Sequence, residues 1–224
     1  MTQADLFQLT IGVLGGTGPQ GRGLAYRWAL RGLSVVIGSR EVGRAEQTAA
    51  SLRERAGSQR VRGADNADCA AEADLVLVAV PFDGHAAFIT SLRAPLAGKI
   101  VIDCVNPLGF DSRGPYPLDV PPGSAAEQAE ALLPESRVTA AFHHVSAVLL
   151  DDPEVSRVDT DVLVLGDDRA ATDQVRALAD AIPGVRGIYG GRLRNARQVE
   201  ALTANLIAIN RRHHTHAGIR ITGV

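Results

Sequence analysis

Residues 11–21 read Ile-Gly-Val-Leu-Gly-Gly-Thr-Gly-Pro-Gln-Gly, between an apolar strand candidate at residues 9–14 and a helix candidate at residues 24–31. A Gly-x-Gly-x-x-Gly pattern in this position is typical of a dinucleotide-binding turn, where glycines permit a tight turn and a close approach of the backbone to a pyrophosphate. Backbone N–H groups and the helix dipole then bind the phosphates. The predicted cofactor-binding residues of this turn are Gly16, Thr17, Gly18, Pro19, Gln20 and Gly21.

The second apolar run, residues 33–38, is followed by Ser39 and Arg40, where an NAD-binding protein usually carries an acidic residue. A carboxylate there would repel the 2′-phosphate of NADP, whereas a guanidinium forms charge-assisted hydrogen bonds with it. Arg44 follows one helical turn later. We therefore predict NADP rather than NAD, bound through Ser39, Arg40 and Arg44, with the alternative that Arg44 is only a solvated surface charge.

Short apolar runs alternate with helical stretches along the chain, which is the pattern of a parallel sheet covered by helices. Strands are predicted at residues 9–14, 33–38, 60–63, 75–80, 99–103, 137–142, 162–166 and 185–189, and helices at 24–31, 46–56, 66–73, 86–92, 125–133, 170–181 and 195–215. The predicted fold is α/β, a Rossmann-type, doubly wound, mainly parallel sheet with a smaller C-terminal α/β and helical part. We assign residues 1–142 to an NADP-binding domain and residues 143–224 to the C-terminal part, which carries dimerisation segments.

The ends of the predicted strands are where ligands are expected, because open α/β sheets bind them beyond the carboxyl ends of their strands. Val80 and Pro81 end one apolar run, and Asn106 follows another. Pro81 alternatively only stops the strand, and Asn106 alternatively only starts a turn. His143 and His144 follow the sixth run, and because a strand directs successive side chains to opposite faces, only one of them is expected to face the site, while the other is a packed or surface histidine. Residues 106–123 are rich in Pro, Gly and Asp, and such a long loop suggests a functional role.

Composition excludes several classes of protein. The 224 residues are 46% hydrophobic and carry a formal net charge of −2, without the basic character of nucleic-acid-binding proteins or of proteins that bind anionic membranes. Residues 1–8 are polar and lack a positively charged start, and no apolar run is long enough to cross a membrane. We expect a soluble, cytoplasmic protein whose partners are small-molecule coenzymes, with no nucleic acid and no membrane.

Neither cysteines nor histidines indicate a metal site. Cys69 and Cys104 are the two cysteines, far apart and without ligand spacing, and we expect buried thiols in a reducing compartment. His213, His214 and His216 lack a neighbouring carboxylate or cysteine, so a solvated or interface cluster is favoured over a metal centre. There is no Gly-x-Ser-x-Gly elbow to indicate a hydrolase.

Several segments together resemble one family of reductases. They are Gly15-Gly16-Thr17-Gly18-Pro19-Gln20-Gly21, Gly38-Ser39-Arg40 with Arg44, Val80-Pro81-Phe82, Ala141-Phe142-His143-His144 and Ala217-Gly218-Ile219-Arg220. Over nearly the whole chain the sequence resembles the NADP-dependent reductases of the 8-hydroxy-5-deazaflavin coenzyme F420. The resemblance implies reversible hydride transfer between C4 of the nicotinamide and C5 of the deazaflavin. Such a transfer needs two rings held close together and shielded from water, and no catalytic acid or base is expected.

The resemblance also assigns residues to the two rings. Val80, Pro81 and Asn106 are expected beside the nicotinamide or its ribose, and the deazaflavin side is expected to be formed by His143, Val145, Ser146, Ala147, Ala217 and Gly218. Two alternatives remain open at this point: an imine reductase or pyrroline-carboxylate-type reductase, which also needs a proton donor, and a non-catalytic NADP-sensing protein.

A homodimer is predicted from the last helix. Val199, Leu202, Leu206 and Ile209 form one apolar stripe on it, and a stripe of this kind needs a partner surface. The alternative is that the stripe packs on the chain's own sheet.

Overall fold

The computed structural model describes residues 6–224, so residues 1–5 of the polar N-terminal segment lie outside the described part. Residues 6–224 contain ten strands: β1 (Thr10–Leu14), β2 (Ser34–Ser39), β3 (Val61–Asp65), β4 (Leu75–Val78), β5 (Ile100–Asp103), β6 (Leu108–Asp111), β7 (Gly114–Pro117), β8 (Arg137–Ala140), β9 (Thr160–Gly166) and β10 (Val185–Gly191). The helices are α1 (Pro19–Leu30), α2 (Val42–Ala56), α3 (Asn66–Glu72), α4 (His85–Ser91), α5 (Arg93–Leu96), α6 (Ala125–Leu132), α7 (Ala147–Asp151), α8 (Arg169–Asp180) and α9 (Ala196–His213), with a 3₁₀ turn at Leu193–Asn195.

Eight strands form one sheet in the order β10-β9-β8-β5-β4-β1-β2-β3. Six neighbouring strands of this sheet are parallel to one another, namely β3, β2, β1, β4, β5 and β8. Strand β9 is antiparallel to β8, and β10 is parallel to β9. All four residues of β4 and of β5 are buried, as expected for strands covered on both faces. The strand order reverses between β1 and β4, and this is the crevice where doubly wound sheets bind nucleotides. The predicted Rossmann-type α/β fold is confirmed.

Helices cover both faces of the sheet, and a separate apolar core lies on each. One core joins α1, α2 and α8 to the sheet, with Trp28 and Phe142 among its largest fully buried side chains. The other joins α3, α6 and the start of α9 to the opposite face. Local signals set the helix starts: Pro19 occupies the first turn of α1, and the carboxylates of Asp65 and Asp168 cap α3 and α8.

The structure corrects two predictions. The long loop at residues 106–123 contains the antiparallel hairpin β6–β7. Strand β8 ends at Ala140, so His143 and His144 lie in a turn rather than on a strand, and both are buried. Alternation along a strand therefore does not decide which histidine faces the site.

The segment after residue 142 is joined to the main sheet rather than standing apart from it, because β9 and β10 extend that sheet. Since β9 runs opposite to β8, its first residues lie beyond the carboxyl end of β8, at the same edge as the turns that follow β1, β4 and β5. A division into residues 1–142 and 143–224 stays a prediction.

The apolar stripe of α9 is largely covered within the chain. Val199 and Leu206 are buried and Leu202 is half-buried, whereas Ile209 is 42% exposed. Part of the stripe therefore packs within the chain, on the second core, as the alternative to a dimer predicted for it, and the homodimer stays a prediction. Within residues 6–224, no helix combines the length and apolarity that a membrane span requires.

Candidate cofactor site

A cavity of about 370 Å³ lies at the carboxyl ends of β1, β2 and β4. It is lined by Gly15, Thr17, Gly18, Ser39, Arg40, Glu41, Arg44, Asn66, Ala79, Val80, Pro81, Asp83, Gly84 and Phe88. The structure therefore brings together the glycine turn, the predicted 2′-phosphate residues and the Val80-Pro81 turn. These segments meet at the point where the strand order reverses.

The glycine turn is shaped by close backbone contacts. Gly15 has φ of +75°, and a Cβ there would lie 2.4 Å from the carbonyl oxygen of Ala79. The N–H of Gly18 donates to the carbonyl of Gly15 at 3.0 Å, and a Cβ at Gly21 would meet that same carbonyl at 2.8 Å. Glycine is required at these positions because the turn after β1 is packed against the start of α1 and the end of β4. The first-turn N–H groups of α1, which lack intrahelical partners, are left for an anion.

The end of β2 carries the charges expected to select NADP. Arg40 is exposed and makes no ion pair with any residue in the range 6–224. Arg44 is paired only loosely, with its Nη1 4.0 Å from the carboxylate of Glu41. Ser39 is buried, and its hydroxyl accepts the N–H of Glu41 at 3.2 Å. The positive charges of Arg40 and Arg44 are thus only weakly neutralised by acidic residues within residues 6–224, and they lie beside the fixed hydroxyl of Ser39.

Four polar or aromatic residues of the cavity were not predicted from the sequence, and these are Glu41, Asn66, Asp83 and Phe88. Asn66 follows β3 directly, and its Oδ1 is buried without a hydrogen-bond partner among residues 6–224. A Cβ at Gly38 would lie 2.9 Å from this oxygen, so the small Gly38 makes room for the amide. The position of Asn66 at the carboxyl end of a strand was the signal that would have identified it.

Gln20 and Asn106 hold the backbone of the turn after β8. The amide of Gln20 donates to the carbonyl of Phe142 at 3.0 Å, and the amide of Asn106 donates to the carbonyl of His143 at 2.9 Å. Phe142 has φ of +65°, an unusual conformation for a bulky residue, and its buried ring packs edge-on against Trp28 at 5.7 Å. The direct contacts predicted for Gln20 and Asn106 with NADP stay predictions.

The two neighbouring histidines differ in their partners. His144 Nε2 lies 2.7 Å from the carbonyl of Asp161, whereas neither ring nitrogen of His143 has a partner among residues 6–224. Burial lowers the pKa of His143 to about 4, against the opposing charge of Asp103, and burial also lowers the pKa of His144. Both imidazoles are therefore neutral at neutral pH. His143 has one donor and one acceptor left for a ligand.

The predicted deazaflavin residues partly converge. Val145 and Ser146 share a small hollow with Ala217 and Gly218 from the C-terminal tail. His144 also lines this hollow, whereas the predicted His143 does not. A Cβ at Gly218 would lie 2.6 Å from the hydroxyl of Thr160, so the tail approaches the start of β9 closely at this glycine. Ala147 begins α7 next to this hollow without lining it, and Gly16, Pro19, Gln20 and Gly21 support the first cavity without lining it.

A buried carboxylate fastens the C-terminal tail to this edge. Asp161 accepts two hydrogen bonds from Arg186, at 2.7 Å each, one from Arg220 at 2.6 Å, and one from the N–H of Ile221 at 2.6 Å. The hydrogen bonds of Arg186 hold the pKa of this carboxyl far below its usual range, despite burial. Arg220 and Ile221, which follow Ala217 and Gly218 in the chain, therefore hold this segment in place through Asp161.

Comparisons with known proteins identify the family of this chain. The family described as NADP oxidoreductase coenzyme F420-dependent matches residues 10–107. The F420-dependent NADP reductase of Methanothermobacter thermautotrophicus is 42% identical, with 96% of each chain covered, and that of Methanocaldococcus jannaschii is 38% identical over 96% of this chain and 99% of that protein. A crystal structure from an Arthrobacter species, whose description names an F420-dependent NADP-reductase, superposes with a TM-score of 0.80 at 30% identity and covers 96% of this chain and 99% of that one. The chain belongs to the F420-dependent NADP reductase family.

Proposed function

We propose that this protein transfers a hydride between NADP(H) and coenzyme F420, in either direction. The observation that carries this proposal is the cavity at the strand-order reversal, which is lined by the glycine turn and by Arg40. The chain that forms this cavity is similar over nearly its full length to F420-dependent NADP reductases. The imine-reductase and sensor alternatives are less favoured. The relatives that match this chain over 96% of its length are F420-dependent NADP reductases, not imine reductases or sensors.

The residues of the first cavity fit a dinucleotide with a 2′-phosphate. The turn at Thr17 and Gly18, with the start of α1, binds the pyrophosphate, while Ser39, Arg40 and Arg44 bind the 2′-phosphate. Val80 and Pro81 continue the lining toward the nicotinamide. NADPH supplies the hydride when bound, and the chain's part is to align two rings and exclude water.

His143 is proposed to bind the deazaflavin through a neutral imidazole. Its two buried ring nitrogens have no partner in the part of the chain that the structure describes, so they offer one N–H and one lone pair, and its low pKa makes it a poor proton donor at neutral pH. Val145, Ser146, Ala147, Ala217 and Gly218 would contribute backbone and small side chains around the same coenzyme. No acid or base is required of them.

The test of function is an anaerobic absorbance assay with purified protein, F420 and NADPH, run in both directions. Turnover with F420 supports the proposal, whereas turnover with a cyclic imine but not with F420 would replace it with imine reduction. Binding of NADPH without any turnover would favour the sensor alternative.

The two histidines give a matched pair of variants for the deazaflavin side. His143→Ala removes unpaired ring nitrogens and should raise the KM for F420, whereas His144→Ala removes a hydrogen bond to Asp161 and should mainly lower thermal stability. Because a general acid contributes about 10²–10⁴-fold, a loss of kcat in the upper part of that range in His143→Ala would indicate acid catalysis instead.

We further propose a homodimer formed through the exposed end of α9 and the adjacent hairpin. Strand β7 packs along α9, and Ile209, Phe110 and Tyr116 are exposed large hydrophobic residues of these elements. Ile209→Glu should give a monomer by light scattering, while Leu30→Glu, at an exposed site on α1, should leave the mass unchanged. A monomeric wild type would refute this proposal.

Cytoplasmic location stays a prediction, consistent with two buried free thiols at Cys69 and Cys104.

A further inference from the structure

A buried ion-pair candidate lies behind the two turns assigned to the nicotinamide. His85 Nε2 lies 2.8 Å from Oδ2 of Asp103, and both side chains are completely buried. His85 is the first residue of α4, directly after the Val80–Gly84 turn, and Asp103 is the last residue of β5, directly before the Cys104–Asn106 turn. Neither residue lines the cofactor cavity.

Each member of the pair is also bonded to its own turn. The second oxygen of Asp103 accepts the N–H of Val105 at 3.0 Å, which fixes the residue preceding Asn106. The N–H of His85 donates to the carbonyl of Phe82 at 3.0 Å, and the Phe82 ring is stacked on the imidazole, with centroids 6.3 Å apart. The pair therefore fixes both turns relative to each other, since either turn can move only by breaking a buried polar contact.

The imidazole is presented with two acceptors. Its Nδ1 lies 3.1 Å from Oε1 of Gln128, and its Nε2 faces the Asp103 carboxylate. Burial alone would lower the pKa of His85, but the hydrogen bond and charge of Asp103 outweigh it and raise the pKa above the usual value. A protonated ring satisfies both acceptors at once.

The same contacts continue to the C-terminal helix. Gln128 lies on α6, and the first N–H groups of α6 donate to the buried carboxylate of Glu200 on α9. One turn later on α9, the hydroxyl of Thr203 donates to the carbonyl of His143, which also accepts the Asn106 amide. These contacts thus lead back to Asn106, which ends the Cys104–Asn106 turn that the His85–Asp103 pair holds.

We propose that His85 and Asp103 are positioning residues that set the relative placement of the Pro81-Phe82 turn and Asn106, and through them the distance at which the nicotinamide presents its hydride. The proposal rests on the proposed function. It predicts that weakening the pair slows hydride transfer while leaving the distant adenosine end, at Ser39 and Arg40, able to bind.

The experiment compares His85→Gln and Asp103→Asn with Thr139→Val. Thr139 is equally buried, and its hydroxyl donates to Val101 of β5 at 3.1 Å, so the control removes a buried hydrogen bond without touching either turn. We expect kcat to fall about 10- to 100-fold in both test variants, the range that a misplacement near 1 Å produces. The Kd for NADPH should change less than about threefold, and Thr139→Val should keep wild-type kcat at a comparable loss of thermal stability.

Two further measurements separate positioning from simple loss of stability. Amide hydrogen exchange of the cofactor-free protein should become faster at Val105 in both test variants and stay unchanged in Thr139→Val. The double variant His85→Gln/Asp103→Asn should be no slower than the slower single variant, because both substitutions break one pair.

Wild-type kcat with unchanged exchange at Val105 in either folded test variant would overturn this inference, as would fully additive losses in the double variant. If one variant does not fold, the other carries the same comparison. Absence of wild-type turnover with F420 would instead refute the proposed function, and the exchange measurement would still test the link between the pair and the turn.

Discussion

Substitution of Arg40 by alanine tests the cofactor assignment most directly. Arg40 is exposed and forms no ion pair within residues 6–224, so its removal breaks no internal contact and should leave the free energy of unfolding within about 0.5 kcal/mol of wild type. Its effect should therefore appear in binding.

The size of the effect follows from the lost contact with the 2′-phosphate. A hydrogen bond to a charged group contributes about 1.5–3 kcal/mol, which corresponds to a loss of about 10- to 150-fold in kcat/KM for NADPH. NADH lacks the 2′-phosphate, so kcat/KM for NADH should change little. The wild-type preference for NADPH should shrink by the same factor.

Initial rates with F420 and either NADPH or NADH measure both quantities. Arg31→Ala is the matched control, since Arg31 is also exposed but lies at the far end of α1 from the cavity, and it should leave both rates unchanged. Raising the salt concentration should weaken NADPH binding more in wild type than in Arg40→Ala. Equal losses for NADPH and NADH in Arg40→Ala would refute the assignment.

Three further predictions concern stability and one concerns cofactor binding. Asp161→Asn should lower the free energy of unfolding by about 1.5–3 kcal/mol in denaturant titrations, because it removes the charge of a buried carboxylate that accepts hydrogen bonds from two partly exposed arginines. Since the pKa of Asp161 is lowered by folding, its stabilisation is present above pH 4 and is lost as the pH falls further, and a flat profile in acid would contradict this. Burial raises the pKa of Glu200 to about 7, against the opposing hydrogen bonds of two N–H groups, so the stability that this carboxyl contributes is lost between about pH 4.5 and 7. Burial of His143 has the opposite pH dependence, because its lowered pKa of about 4 makes stability rise with pH. The difference in unfolding free energy between wild type and Glu200→Gln should therefore fall by a few kcal/mol from about pH 4.5 to 7, and equal slopes would disprove the role of this carboxyl. Phe142→Ala should cost about 3–5 kcal/mol by chemical denaturation through the lost ring contact with Trp28, and a cost below 1 kcal/mol would be inconsistent with its burial. Gly15→Ala should abolish NADPH binding in titration calorimetry, because the new Cβ would collide with the carbonyl of Ala79, and wild-type affinity would show that the turn relaxes freely.

Features encoded in consecutive residues were predictable from the sequence. The glycine turn, the Ser39-Arg40 pair and the alternation of strands and helices each depend on local geometry, because a turn of this shape needs glycine and a buried parallel strand needs an uninterrupted apolar run. The structure places Thr17, Gly18, Ser39, Arg40, Arg44, Val80 and Pro81 around one cavity, as their positions at strand ends predicted.

Features that depend on which segments meet were decided only by the tertiary structure. Asp83 enters the cavity because β4 ends at the same edge as β1, and nothing in its own neighbourhood distinguishes it from an ordinary surface residue. His85 and Asp103 are 18 positions apart, and Asp161 reaches Arg220 across 59 positions. The sequence alone would suggest that the carboxylates of Asp103 and Asp161 are exposed to solvent. Their burial and their partners depend on how distant elements pack and not on the residues beside them.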